Sequence, residues 1–331
     1  MWYNIAMNAA PDLKPINNLL RQLLKDYFVY APLPSGGYIS VGEISSLSQI
    51  DWTGRIPGKP WKDLFLPPRE SVFDLEAGVK ESKKQYPKIA ALGMNVLDLK
   101  ALVLFDQVFG SDTYYRRRRN NTIIIGYSAD WPIDYKKFNV FSHTYEENIL
   151  EHLSFDIFLA KLRNGKLKIY SGSEKGQNIL ETNGSKDYKH IEFAGPIQEK
   201  GIDKRVLKLQ EAVWQSANNK LWDELGKKCL ACGKCSISCP TCFCFDFKDN
   251  SDPDNRTRQR CWGNCFYNDF SLVAGGHKEL DTVKRKIFFW YVHKFVRIPK
   301  EYGLPGCVSC GRCSHACPVK IDIAKNIHKL L

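Results

Sequence analysis

The first 228 residues contain no cysteine, although the chain of 331 residues has twelve. Thiol chemistry is thereby excluded from the N-terminal two-thirds and gathered into the last third. No apolar run approaches the roughly 18 residues that a bilayer-spanning helix needs. The most apolar stretches, Ala101 to Phe105 and Ile287 to Val292, are far shorter. Asp12, Lys14, Arg21, Lys25 and Asp26 break any continuous apolar core of a secretory signal within the first thirty residues. A G-x-G-x-x-G turn after a strand, a Walker loop and a recognisable nucleophile–base arrangement are all missing. These absences predict a soluble, cytoplasmic chain with no catalytic residues of its own. Cytosolic reductants keep thiols reduced, so the twelve cysteines are expected to bind metal rather than to form disulfides.

The length exceeds one typical compact domain, which predicts two. With 44% hydrophobic and 25% charged residues the composition is that of a folded globular chain, not a disordered one. The formal net charge is +12. Two [4Fe-4S] clusters with their thiolates, at about −2 each, would bring it to roughly +8. Acidic partners are then favoured over basic ones, and no recognised nucleic-acid-binding motif accompanies the charge.

The expected fold class is α+β. Residues 16–29 place apolar side chains at helical spacing, and Val96 to Phe109 read as a buried helix. Tyr38 to Val41, Asn121 to Tyr127, Phe155 to Leu162 and Leu167 to Tyr170 read as strands. Asn164-Gly165 joins the last two as a hairpin. Pro57, Pro60, Pro67 and Pro68 mark a loop-rich segment. From Asp203 to Lys227, Val206, Leu209, Val213, Leu221 and Leu225 recur at helical intervals, with Asp203 as N-cap and Gly226 as terminator. The predicted organisation is an N-terminal α+β domain, 1–202, followed by a dicluster ferredoxin-like domain with a leading helix and a long insert, 203–331.

The cysteines carry the chemistry. Cys229, Cys232, Cys235 and Cys239 form CLACGKCSISCP, and Cys307, Cys310, Cys313 and Cys317 form CVSCGRCSHACP. In this spacing three thiolates of a short looping backbone reach one iron–sulfur cube, while the fourth reaches the neighbouring cube. Cross-ligation therefore assigns Cys229, Cys232, Cys235 and Cys317 to one [4Fe-4S] cluster, and Cys307, Cys310, Cys313 and Cys239 to the other. Gly233 and Gly311 permit the tight turns that let amide groups approach sulfur, and Pro240 and Pro318 redirect the chain. Zinc ribbons also use paired C-x2-C units, but each half supplies two thiolates, not four ending in Cys-Pro. Cys242, Cys244, Cys261 and Cys265 lie between the motifs. They are numerous enough for a third iron–sulfur centre, and equally suited to simple burial. His277, in Ala274-Gly275-Gly276-His277, reads as a structural or surface residue, and the run Arg116 to Arg119 as a solvated face.

The pattern CxxCGxCxxxCPTCxCFD at 229–246, with WxxC at 262–265, AGGH at 274–277 and CxxCGRCxxxCPxxIDI at 307–323, resembles a known family. It is similar to the iron–sulfur beta subunit of soluble sulfhydrogenases and to the corresponding iron–sulfur relay protein of anaerobic sulfite reductases. Leu66-Pro67-Pro68-Arg69-Glu70, Asp98-Leu99-Lys100-Ala101-Leu102 and Gly172-Ser173-Glu174-Lys175-Gly176 extend the resemblance into the N-terminal half. Relatives often carry further cysteines near the positions of Leu97 and Ala129, where this chain has none. The resemblance implies an electron relay between a flavin subunit that handles a nicotinamide nucleotide and a catalytic subunit. That catalytic subunit is a [NiFe] hydrogenase on the favoured reading and a sirohaem sulfite reductase on the alternative. A metal-stabilised nucleic-acid-binding module and a reductase acting through the four extra cysteines are weaker readings.

Overall fold

The computed structural model describes residues 10–74, 80–81, 86–132, 149–196, 204–250 and 256–331. Asp203, the expected N-cap, lies outside them. Two compact units emerge. One comprises residues 1–61, 86–139 and 144–197; the other comprises 62–85, 140–143 and 198–331. The α+β class holds, with sheets and helices in both units. The expected boundary fell between residues 202 and 203, whereas residues 62–85 group with the cysteine-bearing unit.

The first unit is built on a seven-stranded sheet. Its strands are β1 (Phe28–Ser35), β2 (Tyr38–Ile44), β5 (Ile89–Met94), β6 (Thr122–Trp131), β7 (Ile157–Leu162), β8 (Leu167–Ser171) and β9 (Lys189–His190), while β3 (Arg69–Asp74) and β4 (Lys80–Glu81) belong to the second unit. The order is β2-β1-β5-β6-β7-β8-β9, with β1, β5, β6 and β7 parallel. The hairpins β1–β2 and β7–β8 are antiparallel. Every residue of β5 is buried, as expected for a parallel strand covered on both faces. Helix α1 (Asn17–Asp26) buries Leu19, Leu20 and Leu23, one stripe at helical spacing, against the sheet core. It stops at Asp26, and Phe28 and Val29 already belong to β1, so the expected helix over 16–29 is too long.

Local hydrogen bonds explain two of the segments that carry the resemblance. Asn95 caps α2 (Val96–Val108) by accepting the Asp98 amide at 3.0 Å. Ser173 caps α4 (Glu174–Thr182) by accepting the Gly176 amide at 3.0 Å, and its hydroxyl donates to Asp156 at 2.7 Å. The arginine run forms the end of α3 (Thr113–Asn121) and is only partly solvated. Arg116 and Arg117 are exposed, whereas Arg119 pairs with Asp106 at 3.2 Å and donates to Ser154 at 2.6 Å. Arg118 lies over the Tyr86 ring at 5.0 Å.

In the second unit the expected single helix from 203 to 227 is two helices, α5 (Lys204–Gln215) and α6 (Lys220–Lys228). A 3-10 turn over Ser216–Asn218 separates them, and Asn219 restarts the helix by accepting the Leu221 amide at 2.8 Å. After α7 (Lys234–Ile237) comes the hairpin β10 (Phe245–Asn250) and β11 (Thr257–Trp262). Strand β3 adds to its edge, giving the order β10-β11-β3-β4. Glu70 stands opposite Arg260 in that register, and the two form an ion pair of 2.7 Å that is almost fully enclosed. The Trp262 indole donates to the Leu66 carbonyl at 2.8 Å, and its amide donates to the Pro68 carbonyl at 2.9 Å. The Leu66–Glu70 segment is therefore a strap across the strand that carries Cys261. Helix α8 (Val283–Val292) runs through a π-helical stretch, His293–Arg297, into α9 (Ile298–Tyr302), followed by α10 (Arg312–Ala316) and α11 (Ile323–His328). Trp222, Trp290, Tyr291 and Phe295 form the aromatic core of this unit.

Candidate iron–sulfur site

The two motifs share one backbone solution. In each, the second residue after the first cysteine has a left-handed backbone, Ala231 at φ +50° and Ser309 at φ +57°. In each, the glycine after the second cysteine does too, Gly233 at φ +72° and Gly311 at φ +73°, and a short helix, α7 or α10, starts directly after it. Left-handed turns of this kind swing consecutive N–H groups toward one side and create a concavity for anions. The Ala231 amide donates to Cys229 Sγ at 3.3 Å, and the Ile321 amide donates to Cys317 Sγ at 3.3 Å. The Ser309 amide likewise bonds Cys307.

Cys229, Cys232 and Cys235 line a single cavity together with Cys313 and Cys317 of the second motif. Phe266, Ile287, Trp290, Tyr291, Ile321 and Ile323 close it. Cys229, Cys232, Cys235 and Cys317 thus share one apolar chamber, which Cys313 also lines. Cys239, Cys307, Cys310 and Cys313 form a second neighbourhood. Burial pushes the Cys313 thiol well up, and nearby Cys307, Cys239 and Cys310 push it further. Burial also drives Cys307 up to about 12, against the pull of Lys294, and Cys235 up to about 12. Thiols held protonated by burial lose their protons to solvent when a metal centre binds, because its positive charge offsets the desolvation of the thiolates.

Cys239 differs. The Cys242 thiol bonds it, Lys294 Nζ donates to its Sγ at 3.1 Å, and Thr241 Oγ1 lies 3.1 Å away. These partners hold Cys239 well below the usual thiol range. Lys62 lies nearby, its Nζ donating to the Ser236 carbonyl at 3.3 Å and the Cys242 carbonyl at 3.2 Å, 4.2 Å from the centre of the Trp262 ring. Burial lowers the Lys62 ammonium below its ordinary range.

The four remaining cysteines are spread around the hairpin. Cys242 bonds Cys239, Cys261 sits on β11 opposite Asp246, and Cys244 and Cys265 lie within each other's field. Among the described residues no three His, Cys, Asp or Glu side chains converge as they would on a single metal ion. A cube differs from such an ion, because its ligands approach four separate irons from outside. The donor set fits that group: thiols only, an enclosed apolar chamber and amides directed at sulfur. His277 is exposed and bonds Glu279 at 3.1 Å. Lys294, Lys62 and the Glu70–Arg260 pair escaped sequence reading, since a lysine in an aromatic helix carries no spacing signal. The one hint in the sequence was the Leu66–Glu70 resemblance.

Comparison with known proteins agrees with this geometry. A model of the 4Fe-4S dicluster domain matches residues 228–321, so the chain carries two [4Fe-4S] clusters. Sulfhydrogenase 2 subunit beta of Pyrococcus furiosus is 30% identical over 312 residues, which cover 90% of this chain and 90% of that one. No solved structure matches. Among the described residues no helix is long and apolar enough to cross a membrane. An iron–sulfur electron-transfer subunit is the reading that these findings share, and the chain belongs to the family of sulfhydrogenase beta subunits.

Proposed function

We propose that the chain relays single electrons between a flavin subunit handling a nicotinamide nucleotide and a [NiFe] hydrogenase catalytic module. Cys229, Cys232, Cys235 and Cys317 hold one cluster, and Cys307, Cys310, Cys313 and Cys239 hold the other. The clusters accept and donate electrons; the protein sets their potentials through burial, charge and hydrogen bonds to sulfur. The observation that carries this reading is the shared chamber of Cys317 with the three leading cysteines of the other motif. Interleaved ligands keep the two clusters close, as stepwise transfer demands. Exposed Cys232 and Leu230, the latter 63% exposed, stand at the rim of that chamber, which suits exchange with a partner.

The test is native purification without oxygen, with iron and acid-labile sulfide counted per chain and EPR of the reduced protein. The expected result is about eight irons, magnetically coupled reduced clusters, and copurifying flavin and nickel–iron subunits. A count near twelve would assign a third cluster to Cys242, Cys244, Cys261 and Cys265. Zinc without sulfide overturns the relay, and a copurifying sirohaem protein replaces the hydrogenase as terminal partner.

A further inference from the structure

The two motifs match in backbone yet differ in surroundings. The chamber shared by Cys229, Cys232, Cys235 and Cys317 has no lysine or arginine in its lining. The neighbourhood of Cys239 and Cys307 has Lys294, only 2% exposed. Its Nζ donates to Cys239 Sγ, to Thr241 Oγ1 and to the Gly306 carbonyl, each at 3.1 Å. Those three bonds use all three ammonium protons. None of the acceptors is a carboxylate. An enclosed cation without a carboxylate is strongly unfavourable unless another anion compensates it. The anion within reach is sulfur, as thiolate or as a thiolate-bound cluster. The backbone reinforces this placement, because Lys294 lies in the π-helical stretch His293–Arg297. Such stretches re-aim side chains and recur at functional sites.

We propose that Lys294 sets the reduction potential of the cluster held by Cys239, Cys307, Cys310 and Cys313, making it the higher-potential member of the pair. The step concerned is the transfer of one electron from the cluster with the Cys317 ligand to the cluster with the Cys239 ligand, with no bond made or broken and no proton moved. Reduction adds one negative charge to the acceptor. A fixed ammonium bonded to one of its sulfurs stabilises that charge, while the apolar chamber gives the other cluster no such cation. Electrons entering the pair accordingly rest on the Cys239 side. This inference rests on the ligand assignment given under Proposed function.

The test is an EPR-monitored redox titration of the cluster-loaded full chain, as wild type and as the Lys294→Met, Lys294→Gln and Lys294→Arg variants, each with its iron counted. Wild type shows two separate one-electron steps. Methionine lowers the upper step at least tenfold in its equilibrium constant, about 59 mV for one electron, and leaves the lower step in place. Glutamine, which keeps a donor for Cys239 Sγ without the charge, lowers the same step, and arginine restores most of the potential. Should methionine cost iron, glutamine carries the same test. Unchanged potentials at full iron content, or a shift confined to the lower step, overturn the proposal. Cys310→Ala separates this outcome from a failed ligand assignment: it removes the upper step, the one that Lys294 shifts, if Cys310 and Cys239 share a cluster, and the lower step if they do not.

Discussion

The Glu70–Arg260 ion pair offers a quantitative test of how the strap is held. Its Oε2 and Nη2 atoms are 2.7 Å apart, and the side chains are 1% and 4% exposed. The guanidinium carbon also lies 5.4 Å from the centre of the Phe245 ring. Glu70→Ala removes the carboxylate that faces the guanidinium in an enclosed site. Breaking a buried pair from one side costs about 3–5 kcal/mol. At a urea slope of about 2 kcal/mol/M the unfolding midpoint falls by about 1.5–2.5 M. Replacing both partners by methionine removes the buried cation together with its counter-ion. Such exchanges are often neutral or stabilising, so the midpoint of the double variant returns to within about 0.5 M of wild type at that slope. The assay is anaerobic urea titration followed by tryptophan fluorescence, to which Trp262 on the strand beneath the strap contributes, and by cluster absorbance. A single-variant shift below about 0.5 M, small against that slope, refutes the reasoning. So does a double variant no more stable than the single one.

Further outcomes follow from the site. Cys317→Ser weakens the cluster held by Cys229, Cys232 and Cys235, and lowers the iron count from about eight toward about four; loss of the opposite cluster refutes cross-ligation. Gly233→Ala forces a left-handed alanine and drives its Cβ to 2.2 Å from Asn264 Nδ2, whereas the same change at Gly311 meets nothing within 4 Å. Gly311→Ala therefore costs about 1–2 kcal/mol of backbone strain alone, while Gly233→Ala loses iron as well; equal iron loss from both would contradict this. Burial, with Lys294 and Arg297 adding to it, lowers His293 from 6.5 to about 4. The folded chain then binds fewer protons than the unfolded chain between those values, and stability falls as pH drops from 6.5 toward 4, by up to about 1.4 kcal/mol per pH unit. His293→Phe flattens that slope in pH-dependent melting, and an unaltered slope contradicts the assignment.

Local signals made part of this molecule readable. The eight motif cysteines announce themselves through spacing fixed over eleven residues, and α2 declares itself through a mostly apolar sequence broken by Asp98, Lys100, Asp106 and Gln107. The hairpin at Asn164-Gly165 follows from one dipeptide; Gly165 has φ +81° and β7 pairs antiparallel with β8. Elsewhere the deciding contacts are remote. Strand β5, Ile-Ala-Ala-Leu-Gly-Met, has no alternation because both faces are covered, and β1 carries two prolines on a strand that still pairs on both sides. Strand β3 is polar at Arg69, Glu70, Ser71 and Asp74, and becomes a strand through its pairing with β11. Arg119 looked solvated within a run of four cations; its ion pair with Asp106, thirteen residues earlier, has no helical spacing to betray it.

The strap also imposes an order on biosynthesis. Glu70 precedes Arg260 by 190 residues, and at about 5–20 residues per second it waits roughly 10–40 s on the ribosome for its partner. During that interval an edge strand and a buried-type carboxylate lack the strand and the guanidinium they meet in the folded chain, a state open to wrong associations. The last cluster thiol, Cys317, emerges later still. A C-terminal fragment from residue 204 onward would be born without the strap, leaving Arg260 without its Glu70 counter-ion from the start. The redox module is consequently inherited as one interlaced length of chain, and transplanting it as a simple terminal cassette would leave its strap behind.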